Sequence, residues 1–234
     1  MRRRILLAVT GLTPQVITET LYALTQLTRP AFVPTEIYLL TTQKGAALAR
    51  RQLLTPGTGW FHRLCREYDL PAMRFTSARI EAVRRPDGRP MDDIRTPEDN
   101  LAMANAILRR VRQCTALPDS ALHVSMAGGR KTMGFYAGYA LSLLGRPQDR
   151  LSHVLVDAAG ETNSEFFYPP RRPARPARRG PQVMLAEVPV VFLRQGIPPG
   201  LLHGHESFDQ TVAAINQAGA DASLRLDLEG RRIH

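Results

Sequence analysis

The chain has 234 residues, 44% of them hydrophobic, and carries 31 Lys and Arg against 21 Asp and Glu, a net charge of +10. That length makes one large or two small domains with a buried core. The positive excess favours a polyanionic partner, no apolar stretch approaches the ~18 residues of a membrane span, and Met1-Arg2-Arg3-Arg4 leads into too short an apolar run for a secretory signal.

In chain order, Arg4–Val9 is a short apolar run that reads as a strand. Thr10-Gly11-Leu12-Thr13 is a turn, and Pro14–Leu24 a helix. Thr13 is the expected N-cap, with Pro14 at the first helical position, where its missing N–H costs nothing. Thr35–Thr42 reads as a second strand and Gln43–Leu54 as a helix with apolar Ala46, Ala47, Leu48, Leu53 and Leu54. Trp60–Tyr68 is a short helix, Met73–Val83 a strand, and Arg85–Pro90 a turn. Thr96, Pro97, Glu98 and Asp99 supply an N-cap, a proline at the next position and acids in the first turn of a helix running to about Cys114. Cys65 and Cys114 sit in helices without metal spacing and read as buried thiols in a reducing cytoplasm.

The most informative stretch is Leu122 to Met133. An alternating apolar strand stops at Gly128-Gly129, Arg130-Lys131-Thr132 follows, and an apolar helix runs over Gly134–Leu144. Such a turn presents bare backbone N–H groups at a helix N-terminus, and Arg130 and Lys131 add full charges there, so a phosphate is the natural occupant. The Thr10–Thr13 turn repeats the strand–turn–helix plan, which places ligand sites at the carboxyl ends of parallel strands. Neither turn fits the known phosphate fingerprints. Arg130 separates Gly129 from Lys131, and Gly11 stands alone in the first turn, which disfavours a P-loop ATPase or an NAD enzyme.

Further along, Leu151–Val156 reads as a strand, Gln182–Leu193 as an extended strand, Ser207–Ala218 as a helix and Ser223–Leu228 as a final alternating strand. Strands alternating with helices make an α/β fold with a mostly parallel sheet. Its core spans 1–157, and 158–234 is a strand/helix extension that completes the same domain or leads to a further module. Half of the charge excess sits in Arg171, Arg172, Arg175, Arg178 and Arg179, within a Pro/Arg-rich segment, 169–181, that has no apolar face. It reads as a mobile, solvated loop first and a weak nucleic-acid contact second.

Three segments together resemble the CRISPR-associated Rossmann fold (CARF) family, most nearly its small ring-nuclease branch: Thr10–Gln15, Asp93–Asn100 and Ser125–Met133. The resemblance implies a Rossmann-like sheet flanked by helices. It also implies a homodimer that binds a cyclic oligoadenylate, tetra- or hexa-, across its two-fold axis. Some relatives only sense this messenger of type III CRISPR immunity; others cut it. A two-fold dimer presents Arg130 and Lys131 twice around a ring of even symmetry. Thr10, Gly11, Leu12, Ser125, Met126, Gly128, Gly129 and Thr132 then line the ring site, while Gln15 and the polar groups near Thr42 and Arg95 read adenine edges.

The activity implied is that of a metal-independent ring nuclease acting on cyclic tetra-adenylate. The 2′-hydroxyl of the RNA attacks the neighbouring phosphorus and leaves 2′,3′-cyclic phosphate ends. By the same resemblance Lys131 stabilises the phosphorane-like charge, the Gly128–Gly129 backbone places the phosphate, and Thr10 or Thr13 orients the ribose or a phosphate oxygen. These loops hold no general base, so turnover is expected to be slow, with no cofactor. The alternative is a non-catalytic sensor that controls an effector or DNA-binding partner; a mononucleotide enzyme ranks third. His203, His205 and Glu206 are a weak metal signal, while His123, His153, Met126 and Met133 read as core residues.

Overall fold

The computed structural model describes residues 3–171 and 180–218. Its elements are β1 (Arg3–Val9), α1 (Gln15–Tyr22), β2 (Glu36–Thr41), α2 (Gln43–Leu54), α3 (Trp60–Glu67), β3 (Ile80–Ala82), α4 (Pro97–Thr115), β4 (Ser120–Ser125), α5 (Lys131–Leu144), β5 (Arg150–Val156), α6 (Ala158–Glu161), β6 (Val183–Val188) and α7 (Pro199–His203). Residues 208–218 form a further helix, α8. The six strands make one sheet in the order β3-β2-β1-β4-β5-β6, parallel except for the antiparallel edge strand β6. This is the α/β Rossmann-like architecture that the alternating pattern requires.

The central strand β1 shows why the sheet is covered on both faces. Its side chains alternate: Ile5, Leu7 and Val9 pack with α4 and α5, whereas Leu6 and Ala8 pack with α1, α2 and α3. Each fully buried leucine or isoleucine contributes about 1.5–3 kcal/mol of transfer free energy. The crossovers are therefore driven by apolar faces on either side of one strand.

The edge opposite the carboxyl ends is tied by charge. The fully buried carboxylate of Glu36, at the start of β2, meets Arg3 at 2.7 Å, Arg79 at 2.8 Å and Arg74 at 3.5 Å. Burial alone would raise its pKa, but the three arginines outweigh burial and hold it below the usual carboxylate range. Asp149 accepts from the Leu122 N–H and from two guanidinium nitrogens of Arg146, joining the starts of β4 and β5.

Three expected elements change. The strand expected over 73–83 contracts to Ile80–Ala82, preceded by a single bridge from Arg74 to Glu36 and a tight turn over 77–79 that interrupts the ladder. The strand expected over 182–193 stops at Val188. Pro189 has no N–H for the ladder, and the chain then runs along α5, where the Ser142 hydroxyl donates to the Val191 carbonyl at 2.6 Å. The segment after α6, which the sequence left without an element, buries Phe166, Phe167 and Tyr168, with Phe167 stacked on Trp60 at 4.5 Å. The strand expected over 223–228 and the arginines at 172–179 lie outside the described residues. Arg171 is held by Glu67 and Asp69. Among the described residues no helix is long and apolar enough to cross a membrane.

Candidate functional site

The strand order reverses between β1 and β4, so their following loops lie side by side at the carboxyl end of the sheet. In an open α/β sheet this crevice is where ligands bind. The two loops touch: a Cβ on Gly11 would sit 3.2 Å from Gly129 Cα, and one on Gly128 would sit 2.6 Å from Thr10 Oγ1 and 3.1 Å from Thr13 Oγ1. Gly128 and Gly129 have φ of +90° and +78°, which disfavours any side chain there. Glycine is thus needed twice over, for conformation and for contact. Among the described residues, the N–H groups of Gly128, Gly129, Arg130, Lys131 and Thr132 have no hydrogen-bond acceptor. They converge on the N-terminus of α5, a 14-residue helix, and form a ridge of donors whose partial positive charge favours an anion.

The threonines are arranged differently from the expectation. Thr13 does not cap α1; Pro14 occupies that position without a side-chain cap bond. Instead the Thr10 hydroxyl donates to the Thr13 carbonyl at 3.2 Å and lies 3.3 Å from the Thr13 hydroxyl. Thr10 is buried and fixes the loop, whereas Thr13 is exposed and lines both neighbouring clefts. Ser125 was expected at the ligand, but it is fully buried and its hydroxyl pairs with Thr20 at 3.2 Å. The Thr42 hydroxyl accepts from the Gly45 N–H as the N-cap of α2.

The charged groups are corrected too. Arg130 is not a free cation. Asp93 accepts from its Nε at 3.2 Å and its Nη2 at 2.5 Å, and the guanidinium holds the Asp93 carboxyl below the usual range. Arg95 lies 3.7 Å from the same carboxylate, and Lys44 3.6 Å from Asp92. The Asp93–Asn100 segment is locked in turn. Thr96 caps α4 by accepting from the Asp99 N–H, and Asp99 accepts from Arg85 and from the Arg95 N–H. Lys131 is exposed and has no ion pair among the described residues. It is the unpaired cation on the ridge.

Two clefts flank the ridge and share Thr13. One, about 370 Å³, is lined by Gly11, Leu12, Thr42, Arg95, Gly129 and Arg130. The other, about 260 Å³, lies between α1, β5 and α6 and is lined by Gln15, Glu19, Gly128, His153, Asn163 and Phe166. His153 therefore faces a cleft, not the core; His123 is buried, 2.7 Å from the Ser152 hydroxyl. Met126 is half-buried, and Met133 is buried beneath the second turn. Gln15 donates to the Ser164 carbonyl at 3.1 Å. Sequence reasoning missed Glu19, which is only 7% exposed and whose carboxyl burial pushes up to about 7. An acid inside the apolar face of a helix was the signal available. His203, His205 and Glu206 line a separate cavity with Arg112, and among the described residues no three metal-ligating side chains come together.

The family described as CRISPR-associated protein NE0113 matches residues 13–219, and the chain belongs to it. The resemblance read from the sequence is thus met by a CRISPR-associated family and a Rossmann-like fold. No curated protein matches the sequence. Among solved structures, the chain is similar to Enterococcus italicus Csm6 bound to cyclic hexa-2′-fluoro-hexa-dAMP, at 11% identity and a TM-score of 0.41, over 66% of this chain and 34% of that one. The chain therefore spans about a third of that protein's length.

Proposed function

We propose that this CRISPR-associated protein binds a cyclic oligoadenylate at the β1/β4 crevice, as a homodimer, and slowly cleaves it without a metal ion. The observation that carries the reading is the ridge: five unbonded N–H groups and the unpaired Lys131 between two clefts. A ring of nucleotides alternates phosphates with bases, and a ridge of donors between pockets matches that alternation. The four-membered ring is the one we favour. Dimerisation has support beside the ridge. Leu12 is 60% exposed, and Phe135, one turn along α5 from Lys131, is 62% exposed.

The chemistry needs no external nucleophile. A ribose 2′-oxygen attacks the adjacent phosphorus, the bond from phosphorus to the 5′-oxygen breaks, and that oxygen takes up a proton. The products carry a 2′,3′-cyclic phosphate and a 5′-hydroxyl. The protein's part is to hold the attacking oxygen in line and to meet the charge that develops. Lys131 and the Gly128–Thr132 amides meet that charge, and Thr13 orients the sugar or a phosphate oxygen. Neither loop supplies a general base, which keeps the rate low.

The sensor reading has one observation in its favour: Asp93 neutralises Arg130, leaving each protomer one free cation at the ridge. Incubation with labelled cyclic tetra- and hexa-adenylate in EDTA, with separation of bound, intact and linear species, decides between the two. The expected result is linear product ending in 2′,3′-cyclic phosphate. Tight binding without any product hands the site to the sensor reading, and no binding of either ring removes both.

A further inference from the structure

The 260 Å³ cleft beside the ridge is smaller than the pockets of about 300–1,000 Å³ that hold drug-sized ligands, which suits a single planar group. Its lining is mixed: buried Phe166, Ala127 and Val154, each at most 6% exposed, stand beside polar Gln15, Glu19, His153 and Asn163. Two polar groups within it lack partners. The Glu19 carboxyl, on a residue more than nine-tenths buried, has no hydrogen bond or ion pair among the described residues. Gln15 spends its amide nitrogen on Ser164, and its Oε1 is buried without a donor. A buried polar atom without a partner, such as Gln15 Oε1, costs stability unless something satisfies it. The Glu19 carboxyl opens into the cleft beside it, and a carboxyl raised by burial in a cleft marks a candidate functional position.

We propose that this cleft receives one adenine of the bound ring, with Glu19 and Gln15 reading its amino edge; the assignment rests on the function proposed above. Adenine offers an exocyclic amino group with two N–H donors, next to the ring acceptor N1. Gln15 Oε1 accepts one N–H. Glu19 accepts the other through its carbonyl oxygen and, as a neutral acid, donates its O–H to N1. Burial supports the neutral form by raising the carboxyl to about 7. The other titratable groups lining the cleft are His153 on β5 and Glu161 on α6, and β4 and its loop contribute only Ala127 and Gly128. Guanine places O6 where the amino group belongs, against Gln15 Oε1, and is rejected. Once Glu19 ionises, its O–H donor is lost, so affinity falls as pH rises through about 7.

The test is binding of cyclic tetra-adenylate, and of the same ring built from purine riboside, which lacks the amino group. Wild type, Glu19→Gln and Glu19→Ala are compared across that pH range. The glutamine amide carries the same donor and acceptor as the neutral acid at every pH. The expected result is about tenfold weaker binding of the purine ring by wild type, and a similar loss for Glu19→Ala. Wild type should weaken on the alkaline side while Glu19→Gln holds its affinity. Equal affinity and the same pH profile in all three proteins overturns the role of Glu19 and leaves the ring site standing. Failure of wild type to bind any ring overturns the function, and this assignment with it.

Discussion

Asp93 grips Arg130 through two hydrogen bonds across the mouth of the larger cleft, so an arginine that the sequence offers to a phosphate is already partnered. The pair is more than half exposed on the arginine side, where ion pairs contribute little. A ligand phosphate competes with Asp93 for the same guanidinium. Asp93→Asn removes the competitor, and ring binding should tighten by up to about fivefold, more at low salt than at high. Gel-shift titration at two ionic strengths measures this. Weaker binding by the variant would show that Asp93 aims Arg130 at the ligand.

Lys131 is the complementary case. It is exposed, unpaired among the described residues, and stands at the start of α5. Backbone amides remain to hold ground-state phosphate when it is removed, but the extra charge of the transition state loses its nearest cation. Lys131→Ala should slow single-turnover cleavage by about 10²–10³ while weakening binding much less. Equal rates in variant and wild type would take Lys131 out of the mechanism.

Gly128→Ala tests the joint between the two loops. Its φ of +90° strains any L side chain, and the new methyl would press on the Thr10 hydroxyl. The strain is about 1–2 kcal/mol, and relief requires the ridge to move. The expected result is a modest fall in melting temperature with a disproportionate loss of ring binding. Unchanged binding would mean that the ridge tolerates displacement and does not place the phosphate.

The fold was legible in the sequence because each strand–turn–helix unit carried its own local signals. Thr96-Pro97-Glu98-Asp99 starts α4 as read, and Gly128-Gly129 ends the β4 unit as read. What the sequence hid were relationships between distant segments. The partner of Arg130 lies 37 residues away, and Arg74 and Arg79, 38 and 43 residues after Glu36, close on its carboxylate. Thr13 reads as the N-cap of α1, yet Pro14 takes that position and the Thr13 hydroxyl lies 3.3 Å from that of Thr10. Glu19 was only half legible: an acid amid the apolar face of α1 stands out in the sequence, but only packing shows that it lines a cleft with β5 and Phe166.

Glu36 provides a control remote from the site. Its carboxylate is fully buried among three arginines at the opposite edge of the sheet. Arg3 and Arg74 stay 40% and 64% exposed, so removing the carboxylate loses charge-assisted hydrogen bonds and costs about 1.5–3 kcal/mol. Glu36→Ala should lose that much stability by denaturant unfolding, while the folded fraction binds the ring as wild type does. A loss below about 1 kcal/mol would show that the cluster is solvated and adds little.

Two buried titrating groups set opposing pH dependences, and the signs can be separated. Burial raises Glu19 from 4.5 to about 7, so between those values the folded chain holds a proton the unfolded chain has lost, and stability falls as pH rises. Burial, with Arg150 second, lowers His123 from 6.5 to about 4, so there the unfolded chain holds the extra proton, and stability rises with pH. Each shift corresponds to about 3 kcal/mol at full extent, and over the shared window, about pH 5 to 6.5, the two largely cancel. Calorimetry of single variants should expose each one. Glu19→Gln leaves the histidine dependence, so this variant loses stability relative to wild type on acidification. His123→Gln leaves the glutamate dependence and gains stability on acidification. Parallel curves for wild type and Glu19→Gln would mean that Glu19 titrates at its ordinary value, in contact with water, and its cleft would then be a solvated groove instead of a base pocket.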